Sequence, residues 1–266
     1  MLGAIVGDVV GSRFEWRNLK SKEFELFHPH CEITDDSVMN LAIAEAVLDS
    51  EGDLDRLERQ AVVRMQELGR AYDVGYGGRF GCWIEDDDPQ PYNSWGNGSA
   101  MRVSACAYAA DSLPRALAMA RRVTVVTHNH PLGMRGAEAV TEAIYLARTG
   151  LDKEEIHKRL AAKYYPLDCA LDVIRPYYRF DVSCEGSVPW AIRAFLESTD
   201  FEDAVRTAIS IGGDSDTIAA ITGSIAEAYY GIPDEIRQKT RTYLDERLTG
   251  ILDAFEAKFG TYPAKK

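Results

Sequence analysis

Two segments of this chain are apolar almost all the way round a helix, and a pair of carboxylates opens each of them. From Val38 to Leu48 only Asn40 and Glu45 are polar, and from Ile218 to Tyr230 only Thr222, Ser224 and Glu227 interrupt the apolar surface. Helices of that kind belong in a core. The turns before them, Thr34-Asp35-Asp36-Ser37 and Gly212-Gly213-Asp214-Ser215-Asp216-Thr217, therefore carry four acids to or near the interior. Charge placed there has to be offset by a cation or removed by protonation. Capping alone would explain one carboxylate per turn, because one suffices to satisfy free N–H groups and to answer the helix dipole. Each turn has two, plus a threonine hydroxyl able to ligate, and this pattern favours a metal site. All-oxygen donors select a hard ion, Mg²⁺ first, with Mn²⁺ or Ca²⁺ as substitutes and zinc disfavoured. Four carboxylates are enough for two ions.

Helical periodicity fills most of the remaining chain, at roughly 3–16, 37–50, 53–73, 98–110, 113–125, 131–149, 152–163, 187–197, 201–210, 216–230 and 233–258. No alternating strand pattern interrupts it. Caps are expected at Ser112, Ser187 and Asp200. The acidic turns lie near opposite ends of the 266 residues, so a site built from both implies one domain over 1–266. The long irregular stretch is 73–97, rich in glycine and aromatic residues, and loops of that length are more often functional than idle. Its aromatics suit either stacking on a purine or pinning the loop. Within it, Glu85-Asp86-Asp87-Asp88 before Pro89 reads as a solvated loop.

Three further motifs carry chemistry. Gly96-Asn97-Gly98-Ser99-Ala100-Met101 leads into an Ala-rich helix, and free backbone N–H groups at such a turn suit phosphate. His128, in Thr127-His128-Asn129-His130-Pro131, is either a ligand contact or a turn histidine; its spacing from His130 does not make a zinc pair. Asp8 lies in apolar company and needs a partner, and Glu15, seven residues on, shares its helical side if the helix persists that far but on the residues alone reads rather as a surface residue. On composition, 42 acidic against 30 basic residues argue against nucleic-acid and anionic-membrane partners. Five scattered cysteines without a CxxC pair, no basic leader and no membrane-length apolar run point to a reduced cytoplasm.

Taken in order, Gly7-Asp8 through Glu15, Thr34 to Ser37, Gly96 to Arg102, Thr127-His128 and Gly212 to Thr217 resemble the ADP-ribosylglycohydrolase family, which includes the dinitrogenase reductase-activating glycohydrolase. The resemblance covers most of the chain. It implies a compact all-α, orthogonal helical bundle with a binuclear Mg²⁺ centre whose ligands would be Thr34, Asp35, Asp36, Asp214, Asp216 and Thr217. It further implies ADP-ribose across that centre, with Gly96, Asn97, Gly98, Ser99, Met101 and His128 as its contacts. Glu15 falls where some members have a catalytic glutamate, and Asp36 is the alternative acid or base. The implied activity is hydrolysis at C1″ of an ADP-ribose conjugate, protein-borne or small, such as O-acetyl-ADP-ribose. Two rival activities use the same residue types: binding of ADP-ribose without turnover, and magnesium-dependent cleavage within the diphosphate. The chain is short for the family, which favours small conjugates.

Overall fold

The computed structural model describes residues 1–260, and over them the chain is all-α. Its first seven helices are α1 (Leu2–Ser12), α2 (Asp35–Ser50), α3 (Leu54–Ala71), α4 (Gly78–Glu85), α5 (Ser104–Ala109), α6 (Leu113–Val125) and α7 (Pro131–Arg148). Then come α8 (Lys153–Lys163), α9 (Leu171–Ile174), α10 (Cys184–Glu197), α11 (Phe201–Ile209), α12 (Ser215–Tyr230), α13 (Asp234–Arg241) and α14 (Glu246–Phe259). The β-type pairing among the described residues is one isolated bridge, Gly96 to Ser183.

Helices α1 and α12 form the central pair. Gly3, Gly7 and Gly11 recur every four residues and so share one face of α1. A Cβ on Gly7 would stand 2.0 Å from the Ala219 carbonyl oxygen, one on Gly3 2.2 Å from that of Gly223, and one on Gly11 2.6 Å from Asp216 Cα. Backbone therefore meets backbone along the whole seam, which delivers the end of α1 to the first turn of α12. Helix α2 packs beside α1 and under α3, α5 and α14, while α7, α10 and α11 cover the other faces of α12. Both acid-headed helices are thus enclosed on nearly every side, as their apolar surfaces require.

Several boundaries differ from expectation for local reasons. Helix α1 ends at Ser12 instead of near residue 16, because the Asn18 amide collects the Phe14 and Glu15 carbonyls at 2.9 Å each and holds the chain in a turn. Asp8 and Glu15 consequently do not share a helical face. The segment 73–97 contains α4, and 98–110 divides into a 3-10 turn over Asn97–Ser99 followed by α5. Ser183, not Ser187, caps α10, accepting from Gly186 N at 3.0 Å; Ser187 lies inside the helix and donates to the Ser183 carbonyl at 2.7 Å. Asp200 caps α11 as expected, accepting from Asp203 N at 2.8 Å. Ser112 holds the N-cap position of α6 without a side-chain bond. The expected helix 233–258 is two, since Asp245 caps a new one by accepting from Leu248 N at 2.9 Å. No helix among the described residues is long and apolar enough to cross a membrane.

Candidate active site

The first turns of α2 and α12 meet around Asp8, which is fully buried on α1. Asp8 Oδ2 accepts Thr34 N and Ser37 N at 3.0 Å each and also the Ser37 hydroxyl, while Oδ1 accepts the Thr34 hydroxyl at 2.6 Å. Asp8 thus caps α2 from a different helix, alongside the N-cap Thr34, whose Oγ1 accepts from Asp36 N at 3.4 Å. Thr34 is tied to that cap. Asp36 is left buried in the interior, and Asp35, partly exposed, lines the cleft.

On the α12 side, the turn is set by Gly212 and Gly213, whose φ values of +72° and +78° favour glycine. Asn18 clamps it: Gly213 N donates to Asn18 Oδ1 at 2.8 Å, and Asn18 Nδ2 donates to the Gly213 carbonyl at 2.9 Å. The same clamp draws the loop carrying Glu15 against Asp214 and Asp216. Candidate ligand atoms of Glu15, Asp214 and Asp216 all lie within 4.8 Å of one another, and so do those of Asp8, Asp36 and Asp216. Asp216 belongs to both groups. Asp35 belongs to neither but lines the adjoining cleft, as does Thr217.

Six carboxylates therefore converge, and among the described residues none forms an ion pair with Lys or Arg. Burial, then mutual repulsion, pushes Glu15 and Asp35 each up to about 7. Burial also raises Asp8 and Asp214, and lifts Asp36 and Asp216 well above the carboxylate range. Asp36 Oδ2 accepts the Thr217 hydroxyl at 2.9 Å, but its buried Oδ1 has no partner. An orphaned carboxylate oxygen in such company fits a cation, and these acidic groups can hold a metal.

The cleft above them measures about 450 Å³, a size suited to a small ligand. Gly96, Asn97, Gly98, Met101 and His128 line it as expected, and Asn97 Nδ2 donates to Asp214 Oδ2 at 2.6 Å. Ser99 is turned away, its hydroxyl donating to the Gly96 and Gly133 carbonyls at 3.1 and 2.9 Å. Most N–H groups of this turn are engaged inside the chain: Gly96 N with Ser94 Oγ, Asn97 N with Val182 O, and those of Ser99, Ala100 and Met101 with the turn's own carbonyls. The turn alone is a smaller anion cradle than its sequence implied.

Side chains that the sequence had not assigned supply the difference. Arg79 and Arg102 line the same cleft, with Tyr92, Phe80, Trp16, Phe180 and Val182. Arg102 is buried, and burial lowers its guanidinium only to about 10, so it stays charged. It donates to Thr127 Oγ1 at 2.5 Å, and Thr127 Oγ1 lies 2.7 Å from His128 Nδ1. Thr127 Oγ1 has two lone pairs, so while accepting from Arg102 it can donate its one proton to Nδ1 or accept from an Nδ1–H. Burial, with Arg102 nearby, holds the imidazole neutral. A neutral ring accepting at Nδ1 carries its hydrogen on Nε2. Arg102 was visible inside the Gly96 to Arg102 motif, whereas Arg79, Trp16, Phe180 and Val182 had no periodicity to mark them.

An all-α frame with an acidic cleft at facing helix starts defines the architecture of ADP-ribosylglycohydrolases. The family model described as ADP-ribosylglycohydrolase matches residues 1–264, and the chain belongs to this family of ADP-ribosyl glycohydrolase enzymes. It is 29% identical to ADP-ribosylhydrolase ARH3 of Homo sapiens, covering 91% of this chain and 88% of that one. It is 28% identical to ADP-ribosyl-[dinitrogen reductase] glycohydrolase of Rhodospirillum rubrum, over 88% and 85%. ADP-ribosylarginine hydrolase Tri1 of Pseudomonas putida (strain GB-1) is 26% identical over 87% and 70%. A solved ADP-ribosylglycohydrolase-related protein complex superposes with a TM-score of 0.70 at 25% identity, over 97% of this chain and 95% of that chain.

Proposed function

We propose that this protein hydrolyses the bond joining C1″ of ADP-ribose to an attached group, with Mg²⁺ held by the converging carboxylates. The observation that carries the reading is the two-part lining of the cleft. Its acids Glu15, Asp35, Asp214 and Asp216, backed by Asp8 and Asp36, have no basic partner among the described residues, and the same cleft is lined by Arg79, Arg102, Gly98 and His128, which suit an anion. A ligand with a ribose diol at one end and a diphosphate at the other matches both parts.

Asp8, Asp36 and Asp216 would hold one ion, and Asp214 and Asp216 would contribute to a second, with Glu15, Asp35 and Thr217 at the cleft surface; Mn²⁺ would substitute. Divalent metal at these acids supplies Lewis-acid stabilisation of ribose hydroxyls and of water. Cleavage breaks the C1″–aglycone bond through an oxocarbenium-like state, adds water oxygen to C1″, and sends the bonding pair and a proton to the leaving group. Glu15 is half-buried and opens on the cleft, which suits the acid or base role. Asp36 is enclosed and already accepts from Thr217, so its role is to hold metal.

The alignment with the human relative runs 320 positions, longer than the whole of this chain, so that relative has segments absent here. Small conjugates such as O-acetyl-ADP-ribose are accordingly favoured as substrates. A reduced compartment such as the cytoplasm suits the five free thiols.

The test is incubation with a panel of ADP-ribose conjugates, with Mg²⁺ and then chelator, reading both products. Free ADP-ribose should appear only with metal, and Glu15→Gln should slow its release about 10²- to 10⁴-fold. Full magnesium-dependent activity in Asp214→Asn with Asp216→Asn would overturn the metal assignment. AMP among the products would instead mark a diphosphatase, and ADP-ribose binding without turnover a sensor.

A further inference from the structure

The stretch that carries Glu15 has no helix or strand to hold it. After α1 ends at Ser12 the chain runs in turns and bends to residue 34, with Glu15 half-buried on it. A carboxylate acting as acid or base must stand within hydrogen-bond reach of the proton it moves, so this stretch has to be fixed against α12. Its own backbone bonds do not do that. Phe14 N to Gly11 O at 2.8 Å, Glu15 N to Ser12 O at 3.4 Å and Arg17 N to Phe14 O at 3.2 Å all span three residues, and they curl the chain without tying it to another helix.

Two side chains make the tie, both through main-chain atoms. Asn18 uses its whole amide: Oδ1 accepts Gly213 N at 2.8 Å, and the two Nδ2 hydrogens are shared among the carbonyls of Gly213, Phe14 and Glu15, each at 2.9 Å. The exchange with Gly213, one bond in each direction, is what two opposed residues make in an antiparallel sheet, and here a side chain makes it. The carbonyls of Phe14 and Glu15 flank the Glu15 Cα, so the same amide grips the main chain on both sides of the acid. Lys20 adds a second tie, donating to the Tyr178 carbonyl at 3.0 Å and to the Ile211 carbonyl. Glycine makes the approach possible, since a Cβ on Gly212 would stand 2.9 Å from Lys20 Nζ and 3.2 Å from Asn18 Cβ. One carboxamide thus connects the main chain at Glu15 to the turn that presents Asp214 and Asp216.

We infer that Asn18 is a positioning residue for Glu15, and that losing its amide misplaces the acid or base while leaving the metal-binding acids where they are. The inference rests on the hydrolase reading above. The asymmetry follows from what each side keeps. Asp36 and Asp216 stand on enclosed helices, and Asp214 retains its bond from Asn97. Near Glu15, the stretch would keep the Lys20 tie and the Trp16 ring stacked on Phe180, neither of which bonds to the main chain at Glu15.

The experiment is a double-mutant cycle of Asn18→Ala, Glu15→Gln and the pair, on a conjugate from the panel above that the wild type cleaves. Single-turnover release followed over hours keeps the slow Glu15→Gln background measurable, and calorimetry with Mg²⁺ alone gives the metal affinity of each protein. Asn18→Ala should lower kcat about 10²-fold, the cost of displacing a catalytic group by about 1 Å. In the Glu15→Gln background the same change should cost less than about threefold, because the group it positions is already disabled. The Mg²⁺ dissociation constant of Asn18→Ala should stay within about threefold of wild type, as for sites that do not couple, which also shows that the variant folds. Asn18 is on the surface, so the change empties no core position. Equal losses of kcat in both backgrounds, or a Mg²⁺ affinity that falls as far as kcat, overturn the positioning role while leaving the hydrolase intact. Glu15→Gln as fast as wild type removes the acid or base assignment and the role of Asn18 with it, and a wild type that cleaves none of the panel sinks the hydrolase reading as a whole.

Discussion

Among the described residues Arg102 forms no ion pair with a carboxylate, and its guanidinium donates to a neighbouring hydroxyl. Through Thr127 it is linked to His128 Nδ1, and a Thr127 hydroxyl that donates to that nitrogen makes the buried imidazole an Nε2–H donor. Thr127→Val removes the relay at nearly constant volume. The Nδ1–H tautomer of His128 should then grow in ¹⁵N spectra, and kcat/KM should fall about tenfold, equivalent to about 1.4 kcal/mol. An unaltered tautomer in that variant would end the relay argument. At this scale Asp35, Asp36, Asp214 and Asp216 were readable from sequence, since doubled acids heading apolar helices conflict with burial unless something binds them. Trp16 and Phe180 were not readable, because aromatics in irregular loops have no periodic signal. Asp8 was half-readable: its need for a partner was plain, but the partner lay 26 residues away in the next helix start.

Among the elements, the α1–α12 seam positions more of the site than any loop does. Its glycines put Asp8 and Asp216 on adjoining backbones, and the separation of the two acidic groups follows from how closely those backbones approach. A methyl on Gly7 would overlap the Ala219 carbonyl, with backbone on both sides and no flexible side chain to give way. Gly7→Ala should therefore destabilise by about 3 kcal/mol, measured by urea unfolding; a loss within error would mean the seam is looser than drawn. The helix pattern was legible along most of the chain. Its errors lie where side chains override propensity, as when Asn18 ends α1 early or Asp245 starts α14. The spacing of Gly3, Gly7 and Gly11 was the sequence signal for the seam. It marks a close-packed face only once a partner helix is known.

For the molecule as a whole, gathering six acids makes stability depend on pH and metal in a defined direction. Their native carboxyls titrate above the unfolded range of about 4, with Glu15 and Asp35 reaching about 7. Between those limits the native state binds more protons than the unfolded chain, so stability is greatest at the acid side and is lost as pH rises. Metal-free protein should show a falling Tm from pH 5 to pH 8, and Mg²⁺ should raise Tm more at pH 8 than at pH 5. Scanning calorimetry in buffered EDTA and in magnesium measures both, and a Tm that climbs over this window without metal would contradict the arrangement.

The glycine face of α1 also has a consequence for biosynthesis. That face matches α12, which leaves the ribosome some two hundred residues later, about 10 to 40 s at ordinary elongation rates. Through that interval the first helix of the chain is an apolar strip without its partner, and Asp214 and Asp216 do not yet exist to complete the cluster. Assembly of the catalytic centre is therefore one of the last events in the making of this protein.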